Sequence, residues 1–423
     1  MRIKLAYGKN GLNLELPDRL NAAVLEPTYV KGLPDPVSAV REALRNPIGS
    51  APLKSLVKPG DKVGIVFSDI TRPVPNRLLL PLLLEELAGL PAERLVLFNA
   101  TGTHRQNTEP ELREMLGDEI VDRCRIVQND ATDRQSHVLV GRSSQGNDIW
   151  LLEEYVRCEV KILTGFIEPH FFAGFSAGGK AAMPGLGLLE TIIRNHSAEK
   201  MDNPLARWGI AEGNPVWEEV REAARMAPPS FLLNVTLNRD KQITGVFAGN
   251  WEKAHERGRE FVRGQAMVPV REKFDIVIST NSGYPLDLNL YQSVKGMSAA
   301  ANVVREGGGI IMAADCWDGI PEHGEYWNML LEAGDIETLL KTIRTPGFER
   351  QDQWEAQIQA LICRKAEVYF YSDNLTDSQI ESALLKPCRG IEATLEELLG
   401  KYGPQARVCV LPEGPQTIPY LAG

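Results

Sequence analysis

Three short, almost continuous apolar runs in the first half of the chain are typical of strands buried on both faces of a parallel sheet. They are KVGIVFS (62–68), RLVLFNA (94–100) and EVKILTGF (159–166). The segments PNRLLLPLLLEELAGL and EPELREMLGDEIVDR lie between these runs, and their spacing of apolar residues predicts helices. Strands that alternate with helices indicate an α/β winding.

The same alternation starts again in the second half, after a polar stretch at 262–274 that we interpret as a linker. The predicted elements are strands at 275–280, 307–314 and 367–372 and helices at 291–304, near 335–344 and at 353–365. The chain has 423 residues, and a single core tends to split beyond roughly 250–300 residues. We therefore predict two α/β domains with mostly parallel sheets and an active site in the cleft between them.

The predicted limits are residues 1–266 for the N-terminal domain and 267–400 for the C-terminal domain. The opening segment MRIKLAYGKNGLNLEL alternates like a strand and is counted with the first domain. A final strand lies within 401–423. The pattern leaves two options for it, because the strand could belong to the second domain or pack back on the first.

The composition limits the kinds of ligand that we expect and the cellular compartment in which we expect the protein. The formal net charge of -10 opposes binding to nucleic acid or to an anionic membrane, so we expect small-molecule partners. The six cysteines form no C-x-x-C pair, which indicates neither a zinc site nor a disulfide framework. No signal-peptide core and no run of 18 apolar residues is present, so we expect a cytoplasmic protein without a membrane anchor.

Polar loops follow all three strands of the first half. They are SDITRPVP (68–75), ATGTHRQ (100–106) and EPHFFAGFSAGGKAAMPG (168–185). Ligands of open α/β sheets bind beyond the carboxyl ends of the strands. Each loop by itself could be a turn, a capping segment or a packing element. Together they predict one site at one edge of the sheet, containing Asp69, Arg72, His104, Arg105, His170 and Lys180.

The third loop has the G-x-x-x-x-G-K spacing of a phosphate loop, through Gly174, Gly179 and Lys180. Ala181 follows where that motif needs a hydroxyl for magnesium, and Pro184 would cut short the helix that holds the phosphates. ATP hydrolysis is therefore disfavoured. The glycines still favour a backbone that approaches an anionic, nucleotide-like ligand closely.

Two other common sites are also disfavoured. No G-x-G-x-x-G follows the first strand, which argues against an ordinary NAD dehydrogenase, and no H-E-x-x-H is present. Because few protein ligands are available in any one segment, a bound metal would need a ligand from outside the protein.

In the second half, STNSGYPLDLNLYQSVKG (279–296) departs from the pattern of strands and helices. The helix after its turn opens with Tyr291, Gln292 and, about one turn later, Lys295. One reading is a solvated helix start. The other is a surface with a cation and an amide donor, suited to an anionic substrate.

The assembled motifs strongly resemble the nickel-dependent lactate racemase family. The segments that carry the resemblance span both halves of the chain in order: SDITRPVP, ATGTHR, GFIEPHFFAGFSAGGKAAMPG, NHS (195–197), STNSGYPLDLNLYQSVKGM and DQWEAQI (352–358). Members of that family use a nickel pincer nucleotide, a nicotinate-derived mononucleotide that holds nickel through two sulfurs and one ring carbon.

The resemblance implies roles for residues of this chain. Lys180 matches the position that tethers the cofactor, and His196 the nickel ligand. His104 and His170 match the acid/base pair, and Arg72 matches a catalytic position near the reacting centre. The residues matched to cofactor contacts are Asp69, Ile70, Thr71 and Arg72, with Tyr291 and Trp354 lining the site. Those matched to substrate binding are Gln292, Lys295 and Arg72.

The implied activity is racemisation or epimerisation of a 2-hydroxy acid by hydride transfer, after loading by proteins that build the cofactor. The family stretch often has Arg before the tether lysine, where this chain has Gly179. That departure leaves open which 2-hydroxy acid is used. Two alternatives remain, a hydroxy acid oxidoreductase that releases the keto acid and a nucleotide-binding sensor or carrier without turnover.

Overall fold

The computed structural model describes residues 1–17, 20 and 22–422. The strands in this part of the chain are β1 (Arg2–Leu5), β2 (Leu12–Glu15), β3 (Ala22–Val24), β4 (Val63–Ser68), β5 (Leu95–Ala100), β6 (Arg125–Gln128), β7 (His137–Arg142), β8 (Asp148–Leu152), β9 (Val160–Phe166), β10 (Pro169–His170), β11 (Gly174–Phe175), β12 (Phe231–Leu237), β13 (Ile243–Gly249), β14 (Met267–Val270), β15 (Phe274–Thr280), β16 (Val304–Ala313), β17 (Glu367–Tyr371), β18 (Lys386–Pro387), β19 (Val408–Leu411) and β20 (Ile418–Leu421).

The helices of the same residues are α1 (Pro36–Arg45), α2 (Leu53–Leu56), α3 (Asn76–Glu86), α4 (Glu109–Leu116), α5 (Asp118–Arg123), α6 (Glu153–Val156), α7 (Leu189–Asn195), α8 (Ala198–Met201), α9 (Pro215–Met226), α10 (Trp251–Ala266), α11 (Leu290–Ala301), α12 (Tyr326–Ala333), α13 (Ile336–Ile343), α14 (Gln353–Lys365), α15 (Asp377–Ser382) and α16 (Ile391–Tyr402). The described part of the chain contains no helix long and apolar enough to cross a membrane.

The first large sheet has the order β13-β12-β9-β4-β5-β6. Its strands are parallel apart from the antiparallel pair β12–β13. The three apolar runs of the first half are its neighbouring strands β9, β4 and β5, which confirms that prediction. In the register, Val66 of β4 lies between Phe98 of β5 and Leu163 of β9. The loops after these strands therefore leave from the same edge.

The second large sheet has the order β18-β17-β16-β15-β19-β3 and is parallel throughout. The strands predicted at 275–280, 307–314 and 367–372 are its strands β15, β16 and β17, so the α/β class with mostly parallel sheets is confirmed. Buried residues of both sheets, including Leu163 and Val277, belong to one apolar cluster. The two halves of the molecule are therefore packed against each other through a shared core.

The N-terminal segment lies in a different place from the one predicted. It forms the antiparallel hairpin β1–β2 followed by β3, and Ala22 of β3 pairs with Val408 of β19. Ile3 and Leu5 belong to an apolar cluster with Ile276 of the second sheet. The predicted first domain of 1–266 thus includes a strand of the second sheet. Alternation alone could not show which sheet would bury the apolar face of this segment.

The polar stretch at 262–274 is regular structure rather than a linker. The helix α10 continues to Ala266, and β14 pairs with β20 through Met267 and Ile418. The stretch looks polar because the outer face of α10 is charged while Val262 and Ala266 are buried. The final strand, which the pattern left unassigned, is β19 of the second sheet. The domain limit at residue 266 stays a prediction.

Candidate active site

The three polar loops of the first sheet meet the helices α11 and α14 around one cavity. Its walls include the following residues from the sequence-based prediction: Asp69, Arg72, His104, His170, Lys180, His196, Tyr291, Gln292, Lys295 and Trp354. The predicted residues Ile70 and Thr71, together with Arg105, line an adjoining cavity. The structure therefore brings the predicted set together at the contact between the two halves.

His104 is oriented by a buried carboxylate. Its Nδ1 lies 2.7 Å from Oδ2 of Asp69, and the Thr71 hydroxyl donates to Oδ1 of the same carboxylate at 2.7 Å. Burial opposes the charge on Asp69, but His104 and Arg72 hold its pKa below the ordinary value. An ionised Asp69 accepts the proton of Nδ1, which leaves the lone pair on Nε2 free. Gln292 Nε2 donates to that lone pair at 3.1 Å.

His170 is held in the opposite way. The backbone N–H of Ala173 donates to its Nδ1 at 3.3 Å, and its ring stacks on Phe171 with centroids 5.0 Å apart. Burial lowers its pKa well below the ordinary value, and the charges of Lys180 and Lys295 add to that shift. A neutral imidazole that accepts at Nδ1 carries its proton on Nε2. In the free site, His104 thus presents a lone pair at Nε2 and His170 an N–H group at Nε2.

Lys180 lies on a 3-10 turn, Gly178–Ala181, that follows the third strand. Burial lowers its pKa to about 7, with further contributions from the charges of Arg72 and Lys295. Its Nζ lies 5.5 Å from the centroid of the Phe172 ring. A large fraction of the amine is therefore neutral near pH 7, which is the state that attacks an acyl group.

Gly179, the departure from the family pattern, faces away from this cavity. A Cβ on Gly179 would lie 3.2 Å from the Trp251 ring, 3.3 Å from Ala224 and 3.6 Å from Val220. These residues belong to α9 and α10, which pack behind the turn. A side chain here would start toward those helices, so the change to glycine concerns packing behind Lys180 rather than a charge in the cavity.

His196 follows α7 directly and is buried between two aromatic rings. Its ring centroid is 4.9 Å from that of Phe172 and 4.8 Å from that of Trp354. Burial lowers its pKa well below the ordinary value, so the imidazole is neutral. Its Nδ1 is buried and has no hydrogen-bond partner among the residues described. A neutral imidazole whose ring nitrogens are not saturated by the protein suits a metal.

In the described ranges, no group of three or more His, Cys, Asp or Glu side chains is placed to hold a metal ion. A metal at His196 would thus need most of its ligands from another molecule. The cavity beside Lys180 provides the space for such a molecule, and the donor set fits a metal that arrives already chelated.

The substrate-binding residues predicted on α11 point at the same cavity. Asn289 caps this helix by accepting from Gln292 N at 3.1 Å. Lys295 Nζ donates to Gln292 Oε1, which turns the amide nitrogen of Gln292 toward His104. Burial, with a smaller contribution from the charge of Arg72, lowers the pKa of Lys295, while Glu168 and Glu355 act in the opposite direction.

Two buried acids at the site were missed from the sequence. Glu168 forms an ion pair with Arg72 Nε at 3.2 Å and accepts from Gln416 Nε2 at 2.7 Å. Glu355 lies in the first turn of α14 and lines the cavity. Both stand inside quoted motifs, next to His170 and Trp354, so proximity to those residues was the available signal.

Trp354 and Tyr291, which were expected to line the site, form a hydrogen bond with each other. Trp354 Nε1 donates to the Tyr291 hydroxyl at 3.0 Å. The Tyr291 ring also meets the His104 ring edge to face, with centroids 6.1 Å apart. One aromatic wall thus runs from His196 to His104 and joins the two halves.

Two family models match this chain, the lactate racemase N-terminal domain over residues 7–209 and the lactate racemase C-terminal domain over residues 270–418. The chain belongs to the lactate racemase family. It is 38% identical to a lactate racemase of Lactiplantibacillus plantarum, over 97% of this chain and 98% of that protein. It is 35% identical to a lactate racemase of Thermoanaerobacterium thermosaccharolyticum, over 98% of each.

Solved structures agree with this membership of the lactate racemase family. The lactate racemase apoprotein from T. thermosaccharolyticum matches 99% of this chain and 100% of its own, with a TM-score of 0.90 and 35% identity. A Thermotoga maritima protein at 17% identity matches 93% of this chain and 100% of its own, with a TM-score of 0.72, which shows a shared fold.

Proposed function

We propose that the chain is an isomerase that racemises or epimerises a 2-hydroxy acid, with His104 and His170 as its acid/base pair. The observation that carries this proposal is the presence of two imidazoles, held as opposite tautomers, on the wall of one cavity. A racemase must handle the hydroxyl proton of two mirror-related substrates. Two imidazoles that line one cavity with Arg72 and Lys295 meet that need.

We further propose that the cavity takes a nickel pincer nucleotide. Lys180 would tether it through its neutral amine, and His196 would bind the nickel through its unsaturated imidazole. When bound, this group would supply a hydride acceptor and donor for the hydrogen on C2 of the substrate. Asp69, Thr71 and Arg72 stand on the loop beside it.

The side chains of the protein would bind and orient the hydroxy acid. Arg72 attracts its carboxylate by charge, and Lys295 is a further hydrogen-bond donor for it. His104 Nε2 takes the hydroxyl proton of one enantiomer, and Asp69 stabilises the imidazolium that forms. His170 would serve the other enantiomer: its Nε2–H donates a hydrogen bond to the oxygen on C2, and the protonated imidazole would return a proton to the keto oxygen as that enantiomer forms.

The test is chiral analysis of lactate and related 2-hydroxy acids after incubation with protein produced together with proteins that build and load the cofactor. We expect both enantiomers from either pure one. Net release of keto acid would instead indicate an oxidoreductase. Ligand binding that survives in the His104→Ala and His170→Ala variants, without any turnover in the parent protein, would indicate a sensor or carrier.

A further inference from the structure

Arg72 is fixed by two neighbours within the first half of the chain. The Thr71 hydroxyl accepts from its Nη1 at 2.9 Å, and Glu168 Oε1 forms an ion pair with its Nε at 3.2 Å. The N–H groups of Nη2 are left for a ligand of the cavity that Arg72 lines. A guanidinium recognises a carboxylate through a planar pair of N–H donors, so the orientation of that plane matters for binding.

Glu168 supports Arg72 without lining the cavity itself. Its side chain is buried, and its backbone is fixed by Ser176 in both directions. The N–H of Glu168 donates to Ser176 Oγ at 3.0 Å, and the carbonyl of Glu168 accepts from Ser176 N at 2.9 Å. The carboxylate therefore extends from a fixed point of the backbone and meets Arg72 from the side that faces the protein.

The other oxygen of Glu168 is bound by the second half of the chain. Gln416 Nε2 donates to Oε2 at 2.7 Å. Gln416 ends the 3-10 turn Gly414–Gln416, which follows β19. A Cβ on Gly414 would overlap the carbonyl oxygen of Thr280 at the end of β15, so this turn lies directly against the second sheet. Gln416 therefore has a fixed place relative to that sheet.

We propose that Glu168 and Gln416 are positioning residues: Gln416 holds the carboxylate of Glu168, and that carboxylate sets the plane of the Arg72 guanidinium. This inference rests on the proposed function. An amide suits the place of Gln416, because a carboxylate there would repel Glu168 and an ammonium would compete with Arg72 for its charge. Since Gln416 belongs to the second half, Arg72 is fully oriented only while the two halves are packed together.

The orientation of Arg72 is measured through the hydrogen on its Nε. Protein with 15N-labelled arginine gives an NMR signal for each Nε–H group, and the signal of Arg72 is identified by its absence in Arg72→Lys. A hydrogen that faces a buried carboxylate exchanges slowly with water. We expect this exchange to become at least about tenfold faster in Gln416→Leu and in Glu168→Gln. Unchanged exchange in both variants would overturn the proposal.

Gln351→Leu is the matched control, because it also removes an amide donor between the two halves. Gln351 Nε2 donates to Thr103 O at 3.0 Å, a contact that does not include Arg72. The exchange at Arg72 Nε should stay within about twofold of the parent's in this variant. Equal acceleration in Gln351→Leu and Gln416→Leu would overturn the proposal, since it would show only a looser packing of the halves.

Kinetics of the loaded protein give a second measurement, with the 2-hydroxy acid that the parent turns over best. We expect kcat/KM to fall about tenfold in Gln416→Leu and up to about a hundredfold in Glu168→Gln. The loss should appear in KM, because Arg72 attracts the carboxylate of the substrate. A fall in kcat with an unchanged KM would overturn the proposal, since it would reflect a smaller amount of folded protein.

The same two changes are then made in the Arg72→Lys background. Each should lower kcat/KM by less than about threefold there, because no guanidinium is left to orient. Equal losses in both backgrounds would overturn the proposal, since Glu168 would then act through another group such as Lys295.

The exchange measurement needs neither cofactor nor turnover, so it separates this proposal from the proposed function. If the loaded parent protein racemises no 2-hydroxy acid, the proposed activity is wrong, and the exchange at Arg72 Nε still decides whether Glu168 and Gln416 orient Arg72.

Discussion

His104 and His170 are the same side chain held by two different partners. A carboxylate fixes the proton on Nδ1 of His104, and a backbone N–H fixes the lone pair on Nδ1 of His170. The two partners also differ in their distance along the chain from the histidine they contact. Asp69 belongs to the loop after another strand, whereas Ala173 is three residues from His170. The proton state of each imidazole can therefore be changed separately.

Replacing Asp69 by Asn should remove the proton acceptor of His104 Nδ1 and allow the other tautomer. We expect kcat for the proposed racemisation to fall about a hundredfold or more, since general-base catalysis typically contributes 10²–10⁴-fold. The comparison is Thr71→Val, which keeps the Asp69 carboxylate and removes the hydroxyl that donates to Asp69 Oδ1 and accepts from Arg72. A similar loss in both variants would show that the tautomer of His104 does not matter.

Lys180 should react with an acylating reagent at a pH far below that of an ordinary lysine. Because its pKa is lowered to about 7 by burial and by Arg72 and Lys295, the neutral amine appears as the pH rises through about 7. An unperturbed lysine needs a pH near 10.4. The measurement is labelling of the cofactor-free protein by acetic anhydride from pH 6 to 10, read by peptide mass spectrometry.

Lys401 provides the reference within the same protein. Its hydrogen bond to Glu367 raises its pKa, so its labelling should lag behind that of Lys180. Parallel labelling of the two lysines across the pH range would contradict a lowered pKa at Lys180.

Among the elements, α9 supports the segment that carries His196. Its buried Glu219 accepts from Asn195 Nδ2 at 2.7 Å and from Lys200 Nζ at 2.6 Å. These two residues flank His196 on either side. A single carboxylate thus fixes both ends of the segment, while Ser143 donates to its other oxygen at 2.7 Å.

Replacing Glu219 by Gln should lower the free energy of unfolding by about 3 kcal/mol, because breaking a buried ion pair leaves the other charge without compensation. The measurement is urea unfolding of the cofactor-free protein. The matched control is Glu222→Gln on the same helix, whose carboxylate binds Ser144 at the surface and should cost less than about 1 kcal/mol. Equal losses in the two variants would contradict a special role of Glu219.

The strands β4, β5, β9 and β15 were predictable because they are almost entirely buried and therefore read as apolar runs. The strands β12 and β13 and the edge strands β3, β6 and β18 were not predicted. The end of α10 was misread as a linker, since Arg263 and its charged neighbours lie on the outside of a helix whose inner face is buried. The site residues of the loops were predictable from their position after strands. Glu168, Glu219 and Glu355 were not, because an isolated acid in a sequence gives no sign that it will be buried.

At the scale of the whole molecule, the N-terminal segment up to residue 24 packs on the second sheet, although it precedes the first sheet in the sequence. The strand β3 covers the edge of β19, and the hairpin β1–β2 covers apolar residues of the second sheet. The site needs both sheets, because Gln292 of the second half binds His104 of the first and Gln351 Nε2 donates to Thr103 O at 3.0 Å.

Removing residues 1–24 should therefore destabilise the second sheet while the first keeps its core. We expect faster amide hydrogen exchange in β19 and β15 and little change in β4 and β5. Removal of only residues 1 and 2 serves as the control for a shortened terminus. Equal acceleration in both sheets, or none, would contradict this assignment of the N-terminal segment.

The unlike settings of His104 and His170 have a consequence for the two directions of the proposed reaction. Mirror-image molecules with one stereocentre have equal free energies in water, so the equilibrium constant between them is one and kcat/KM must be the same from either side. One enantiomer meets His104, whose Nε2 carries a lone pair that can accept the hydroxyl proton. The other enantiomer meets His170, whose Nε2 already carries a proton and must lose it first. The enzyme should therefore turn over its two substrates with different kcat values and with KM values that differ by the same factor.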